Sequence, residues 1–354
     1  MSHTKEDLKE LQSKSLDEKI QISTARIIEW YEHWDGKVYV SFSGGKDSTV
    51  LLDLVRRVYP DVPAVFSDTG LEFPEIREFV KSFDNVEWVK PKLTFTEVIT
   101  KYGYPIISKN ISNTIHGAKK GNTRWECLMG TKTMKNGIEP SLFNCSKWKF
   151  MLNADFCVGD NCCQVMKKSP VKKYEKETGR KSYAGMMASE SLKRRQAWFK
   201  TGCNAYEGRQ QSNPMAFWTE QDVLRYIQKY NLSYAPVYGE LKESNGILYF
   251  TNYNRTGCVF CGYGCHLEKE PNRFQTLAKT HPQLYDYCMR GGKYDESGMW
   301  IPDKGLGMAK VLDYINVKWW NDGDEEKRDE YRRIYHEKEE AEAQRKLIES
   351  ETNE

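Results

Sequence analysis

Lys37 to Ser43 is a short β-rich run, and it passes without a linker into Gly44-Gly45-Lys46-Asp47-Ser48 and then into the helical pattern Val50-Leu51-Leu52-Asp53-Leu54-Val55. A strand handed to a helix through two glycines restricts the chain to few folds, most of them open α/β sheets. The glycines let backbone N–H groups turn toward an anion. Ser43 and Ser48 add hydroxyl donors, and the helix N-terminus adds its positive dipole end, so the segment reads as a phosphate cradle. It has neither the G-x-x-x-x-G-K-S/T spacing of the P-loop nor the dinucleotide fingerprint G-x-G-x-x-G.

The same alternation continues downstream. Val62 to Ser67 predicts a second strand ending at Asp68-Thr69-Gly70, Phe73 to Ser82 a helix, and Val86 to Val89 a third strand, which together predict a parallel sheet. Upstream, apolar residues at helical spacing predict a helix over Leu16 to Trp34, stopped by Gly36. Gly103 to Asp155 is irregular and locally basic; a helix is expected to start at Asn161-Cys162-Cys163 and a strand at Ser182 to Met187. Thr219 reads as the N-cap of a helix running to Tyr230, with Asp222 placed to reach back. Tyr249 to Cys265 reads as a loop and Asp324 to Ser350 as a solvated, charged helix. The resulting division is an N-terminal helix (1–35), a nucleotide-binding domain (36–235) with a basic insertion near 103–155, a cysteine-rich region (236–310) and a terminal helix (311–354).

Ten cysteines need an explanation in a chain whose N-terminal residues, Met1 to Lys19, are charged and lack an apolar leader. The expectation is a cytoplasmic protein, where clustered thiols signal metal binding or catalysis more often than disulfides. The longest apolar runs, such as Val62 to Phe66, are far too short for a membrane span. Cys162 and Cys163 are adjacent, and Cys258 and Cys261 form C-x-x-C, so these four are candidate ligands of a tetrathiolate site. A Cys₄ zinc site is an alternative, although two adjacent cysteines fit one zinc awkwardly. Cys127, Cys145, Cys203 and Cys288 read as small buried hydrophobes, whereas Cys157 and Cys265 stand near the proposed ligands as candidate alternative ligands or redox-active thiols. The six histidines show no paired ligand spacing; His266, directly after Cys265, is the one adjoining the cysteine loop.

Ser43 to Ser48 resembles the PP-loop, S-G-G-x-D-S, of the ATP pyrophosphatase superfamily. The resemblance implies a loop that holds the pyrophosphate end of ATP during adenylation, with Asp47 helping to place Mg²⁺. Asp68-Thr69-Gly70 is similar to the segment that borders adenosine in phosphoadenosine phosphosulfate (PAPS) reductases, and the vicinal pair plus C-x-x-C is similar to their 4Fe-4S arrangement. Pro214 to Tyr226 and Arg255-Thr256-Gly257-Cys258 match the family pattern at the same relative places, so the likeness covers about Leu16 to His266. It implies an α/β, adenine nucleotide α-hydrolase-like domain with a smaller cysteine-containing C-terminal region. It further implies nucleotide contacts at Ser41, Ser43, Gly44, Gly45, Lys46, Asp47, Ser48, Asp68, Thr69, Gly70, Gly185 and Arg194. Catalytic candidates are Lys46, Asp47, Cys157 and Cys265, and the expected cofactors are a 4Fe-4S cluster on Cys162, Cys163, Cys258 and Cys261, and ATP with Mg²⁺.

Two departures from the reductase pattern stand out. Sulfonucleotide reductases carry a nucleophilic cysteine in a C-terminal Glu-Cys-Gly-Ile/Leu-His segment, and no cysteine follows Cys288 in this sequence. Where they place two arginines, Gly185 to Ser191 has Met187 and Ala188. The leading expectation is therefore adenylation-linked sulfur transfer to an acceptor. Alternatives are a sulfonucleotide reductase with a non-standard thiol and a non-catalytic nucleotide-sensing regulator. Expected partners are an adenine nucleotide and either a nucleic acid (tRNA or DNA) or a sulfur-donor protein. For nucleic acid the candidates are Lys119, Lys120, Arg124, Trp125, Lys132 and Lys135, with Lys167, Lys168, Lys172 and Lys173; the alternative is a solvated charged face.

Overall fold

The computed structural model describes residues 3–122, 124–134 and 136–336. The chain divides into two compact units, Met1–Lys92 with Met166–Val259, and Leu93–Val165 with Phe260–Glu354. This division cuts across the sequence-based boundaries, because the expected nucleotide domain of 36–235 is interrupted by a segment that folds with C-terminal residues.

In chain order the first unit begins with α1 (Lys5–Ser13), α2 (Leu16–His33), β1 (Val38–Ser41), α3 (Lys46–Val58), β2 (Ala64–Ser67), α4 (Pro74–Lys81) and β3 (Val86–Val89). The helix expected over Leu16 to Trp34 is α2, which Ser15 starts in a capping box with Glu18; α1 precedes it within the region 1–35. The chain then builds α5 (Phe95–Tyr102), β4 (Ile106–Ile107), α6 (Lys109–Lys119) and α7 (Arg124–Met129) of the second unit. It returns to the first as α8 (Ser169–Thr178), β5 (Lys181–Ala184), α9 (Leu192–Thr201), β6 (Asn204–Ala205), β7 (Gln211–Ser212), α10 (Glu220–Tyr230), β8 (Leu241–Ser244) and β9 (Ile247–Phe250).

The first unit's sheet runs β3-β2-β1-β5-β7-β6, all parallel except the β6–β7 edge. The parallel sheet expected from the sequence is therefore present. Val38, Tyr39, Val40, Ala64, Val65 and Phe66 are buried, as befits strands covered on both faces. The family-like stretch near α10 is core: Trp218 Nε1 donates to Ser23 Oγ at 2.9 Å, and Ser23 Oγ donates to the Pro214 carbonyl at 2.9 Å. Thr219 caps α10 in a capping box with Asp222, as the sequence predicted. Asp222 also forms a buried 2.8 Å ion pair with Lys19 of α2, which commits α2 and α10 to each other.

The second unit is completed by β10 (Gly262–Tyr263), α11 (Arg273–Thr280), α12 (Pro282–Met289), β11 (Lys293–Tyr294), β12 (Trp300–Ile301) and α13 (Met308–Tyr314). Its core gathers Tyr104, Met151, Phe156, Trp300, Leu306, Met308, Leu312 and Trp319. A little under half of the stretch 103–155, expected to be irregular, is helical in α6, α7 and a 3₁₀ segment, Ser146–Asn153. The described part of the terminal helix, 325–336, is not a fully solvated one: Tyr331 and Tyr335 are buried, and Arg332 and Tyr335 both bind the Asp313 carboxylate. Residues 337–350 of that expected helix lie outside the described residues. Among the described residues no helix is long and apolar enough to cross a membrane.

Candidate functional site

The glycine loop joins β1 to α3 as the sequence requires. Gly44 takes φ +70°, and a Cβ there would stand 2.7 Å from Val80 and 2.9 Å from Ile76, so both conformation and space demand glycine. Gly45 is the N-cap of α3 and offers no side-chain cap of its own. Ser48 Oγ instead closes the turn, donating to the Gly45 carbonyl at 2.9 Å and accepting the Ser43 N–H at 3.1 Å. Gly185, just after β5, packs against the loop, since a Cβ there would meet the Asp47 carbonyl oxygen at 3.1 Å. Ser41 ends β1 in register with Val65 and Ala184. Ser41, Ser43, Gly44, Gly45, Lys46, Asp47, Ser48 and Gly185 therefore come together as one loop and its backing.

The loop is ringed by charge. Lys46 is only 3% exposed; its ammonium donates to the Asn254 carbonyl at 2.9 Å and lies 3.2 Å from Glu220 and 3.7 Å from Asp47. Asp47 Oδ1 is buried and has no hydrogen-bond partner. Burial pushes the Asp47 carboxyl above its ordinary range, Lys46 and Arg255 pull it back down, and Glu220 adds to the rise. A buried carboxylate oxygen left in this condition is poised for a cation.

Met187 and Ala188 are both buried, and Ala188 N–H donates to the Ala216 carbonyl at 2.7 Å. The segment that follows supplies a carboxylate: Glu190 accepts the Met187 N–H at 2.8 Å, pairs with Arg194 and lies 3.7 Å from Arg255. Arg194 is depressed by burial and by Arg255, with Asp47 opposing. Arg194 is thus closely paired with Glu190, while Arg255 lies 3.7 Å from the same carboxylate and is largely exposed.

Asp68 and Thr69 are buried at the C-terminal end of β2. Asp68 Oδ2 accepts from Arg77 at 3.0 Å with Lys90 at 3.9 Å, and Asp68 Oδ1 is buried without a hydrogen-bond partner. Thr69 is turned inward by Glu72, and Gly70 takes φ +72° with open space where a side chain would be. An open glycine at this edge leaves room for a ligand outside the strand ends, where open α/β sheets bind theirs.

Among the metal candidates, Cys162, Cys163 and Cys261 belong to the second unit and Cys258 to the end of the first. The second-unit thiols gather about Tyr263: burial, then Cys163, Cys261 and Cys162, and last Asp160 raise its phenol far above the ordinary value. β10 is held against β4 by the Ile106↔Gly262 and Ile107↔Tyr263 pairs. Ile107 sits at φ 62°, costly for a β-branched residue, so backbone strain is stored beside the cysteine loop. None of the ten cysteines is in a disulfide, and no group of three or more His, Cys, Asp or Glu among the described residues converges as a site for a single metal ion.

The two catalytic thiol candidates differ sharply. Cys157 is exposed, with its carbonyl fixed by the Tyr104 N–H at 2.8 Å. Cys265 is 1% exposed, donates to the Gly262 carbonyl at 3.0 Å, and is pushed up to about 12, mainly by burial. Burial of this kind keeps a thiol protonated and weakens it as a nucleophile, whereas Cys157 is open to reagents. Cys127, Cys145, Cys203 and Cys288 are buried. His266 rests edge-on to Trp148 at 5.2 Å and is lowered by burial and by Lys147.

Of the basic candidates, Lys119 donates to the carbonyls of Ala154 at 2.8 Å and Phe156 at 3.4 Å. Lys120, Arg124 and Trp125 are exposed, as are Lys168, Lys172 and Lys173, the last within 3.7 Å of Glu177. Lys132 and Lys167 are half-buried, and Lys135 lies outside the described residues. Sequence reasoning missed Glu190, Glu220 and Tyr238. Tyr238 contacts Lys46 from 192 positions away, and none of the three sits in a motif whose spacing marks it.

Comparison with known proteins follows this geometry. A model described as the phosphoadenosine phosphosulfate reductase domain matches residues 37–107 and 118–263, which take in the glycine loop and all four candidate cysteines. An uncharacterized protein of Methanocaldococcus jannaschii is 27% identical over 318 residues, 85% of this chain and 62% of that relative, so the chain spans less than two thirds of its length. An adenosine 5'-phosphosulfate reductase of Anoxybacillus flavithermus is 24% identical over 264 residues, covering 73% of this chain and 88% of its own. A crystal structure of the PAPS reductase of Candida auris, in a phosphate complex, aligns with 70% of this chain and 98% of its own at 15% identity and a TM-score of 0.35.

Proposed function

Since the chain belongs to the phosphoadenosine phosphosulfate reductase family, we propose that it is a PP-loop enzyme of sulfur chemistry that binds ATP with Mg²⁺ and adenylates an acceptor for sulfur transfer. The observation that carries this reading is Asp47 Oδ1, a buried carboxylate oxygen without a hydrogen-bond partner at the mouth of the phosphate loop. A nucleoside triphosphate brings a divalent cation to such an oxygen; a metal-free sulfonucleotide brings only further negative charge. Burial of Met187 and Ala188, and the pairing of Arg194 with Glu190, support the same choice.

In this reading the N–H groups at the start of α3, with Ser43 and Ser48, hold the β- and γ-phosphates. An acceptor oxygen attacks the α-phosphorus, pyrophosphate departs, and the acceptor carries AMP as a good leaving group. Lys46 lies close enough to steady the departing charge. The grouping of Cys162, Cys163 and Cys261 around Tyr263, with Cys258 supplied by the C-x-x-C spacing, supports a 4Fe-4S cluster. Bound there, it would supply a sulfur-carrying or electron-donating centre. Exposed Lys120, Arg124 and Trp125 support a nucleic acid as acceptor, since they pair cations with a stacking surface.

A second reading, reduction of adenylyl sulfate, is favoured by the names of relatives such as the Anoxybacillus flavithermus reductase. It would leave the exposed Cys157 as the thiol to test. Anaerobically purified protein supplied with ATP, Mg²⁺ and tRNA or DNA should release pyrophosphate. Sulfite release from adenylyl sulfate, with no pyrophosphate from ATP, would replace the first reading by the second.

A further inference from the structure

We propose that Tyr238 and Thr256 are positioning residues that tie the nucleotide loop to the segment carrying Cys258, so that filling the loop loosens that segment. The inference rests on the reading of Ser43 to Ser48 as a nucleotide site.

Tyr238 is 2% exposed, and its hydroxyl sits at a junction. It accepts the N–H of Lys46, the first residue of α3, at 2.9 Å and shares a 2.8 Å hydrogen bond with Thr256 Oγ1. A second link runs in parallel, from the Lys46 ammonium to the Asn254 carbonyl at 2.9 Å. The fit is close: a Cβ on Gly45 would stand 3.3 Å from the Tyr238 hydroxyl and 3.4 Å from Thr256 Oγ1. Residues 251–257 have no regular structure; Thr251 and Asn252 are held by backbone bonds to Glu240 and Tyr238, and beyond them the Thr256 and Asn254 bonds tie the segment to the loop. Beyond it the chain is fixed again by Val259 N–H on the Leu71 carbonyl at 2.8 Å, which leaves Cys258 between two attachments.

Both links end on groups that a polyphosphate would claim. The first N–H groups of a helix are the natural donors to a phosphate at its N-terminus, and Lys46 has given its own to Tyr238. The Lys46 ammonium is likewise engaged, with Asn254, Glu220 and Asp47. An incoming polyanion must draw Lys46 away from Tyr238 and Asn254, and the attachment of 251–257 weakens as the phosphates bind.

The test is hydrogen exchange followed by mass spectrometry on the full chain, with Mg²⁺-ATP as probe and calorimetry run in parallel. In the wild type, Mg²⁺-ATP should speed exchange of the 251–257 amides at least threefold. Tyr238→Phe and Thr256→Val should show the raised rate without nucleotide and little further response. Thr256→Ser, which keeps the hydroxyl, should behave as wild type and so separates loss of the bond from general loosening. Heat of binding without any change in exchange, or a wild-type response in both Tyr238→Phe and Thr256→Val, overturns the tether while leaving the nucleotide reading intact. Absence of any Mg²⁺-ATP binding to the wild type overturns the nucleotide reading, and the tether with it.

Discussion

Replacing Asp47 by Asn should make the protein more stable and less functional at once. The carboxylate has a buried oxygen without a hydrogen-bond partner, and burial raises its pKa above the ordinary 3.8. Leaving such an oxygen unsatisfied costs roughly 1–3 kcal/mol, and more when it is charged; a neutral amide still places a polar atom there but removes the buried charge. Lys46 would lose one neighbour but keep Glu220 at 3.2 Å and the Asn254 carbonyl at 2.9 Å, so about 1 kcal/mol of net gain is expected. For a domain of this size that is a rise in Tm of about 2–4 °C. The pH dependence has a definite sign. A carboxyl whose folded pKa is raised weakens the fold above that pKa, and the penalty fades as pH falls toward the unfolded value near 3.8. The advantage of Asp47→Asn should therefore grow as pH rises through the raised folded pKa and shrink as pH falls toward 3.8. Ligand linkage runs the other way: Mg²⁺-ATP at about 100 times its Kd adds roughly 2.7 kcal/mol to the wild type and should add almost nothing to the variant. Differential scanning fluorimetry with and without Mg²⁺-ATP reads both effects. A variant less stable than wild type at pH 7 without ligand, or one shifted by Mg²⁺-ATP as far as wild type, would refute the reasoning.

Other perturbations probe the rest of the structure. Lys19→Met leaves Asp222 buried without its 2.8 Å partner and should destabilise the protein by about 3–5 kcal/mol, read from the urea midpoint. At pH 8 iodoacetamide should modify exposed Cys157 and spare Cys265, which is buried and whose pKa burial raises; peptide mass spectrometry that finds Cys265 modified first would contradict its placement. Ala substitution at Cys163 or Cys261 should abolish bound iron in anaerobically purified protein, whereas Cys203→Ala should not; elemental analysis decides.

The glycine loop was legible in the sequence because its chemistry is local: strand, two glycines, two serines and a helix start lie within about a dozen residues. Thr219 and its capping box with Asp222 were legible for the same reason. The stretch 103–155 was not, because α6 and α7 bury mixed faces and their polar residues hid the helical period. The unit boundaries were hidden too, since the second unit is assembled from segments about a hundred residues apart. At the site, the missed residues act through backbone and hydroxyl contacts that leave no spacing signature. Tyr238 works by one oxygen, and Glu190 and Glu220 were indistinguishable in sequence from solvated surface charge. Burial was not legible either, since adjacency to a proposed ligand does not tell buried Cys265 from exposed Cys157.

The central claim, that this loop takes a metal-bound nucleoside triphosphate, is tested most directly by equilibrium binding of ATP to the full chain, with and without Mg²⁺ and in competition with adenylyl sulfate. The account predicts ATP binding that needs Mg²⁺, is lost in Asp47→Asn, and is displaced poorly by adenylyl sulfate. Tight, metal-independent binding of adenylyl sulfate that survives Asp47→Asn would contradict it.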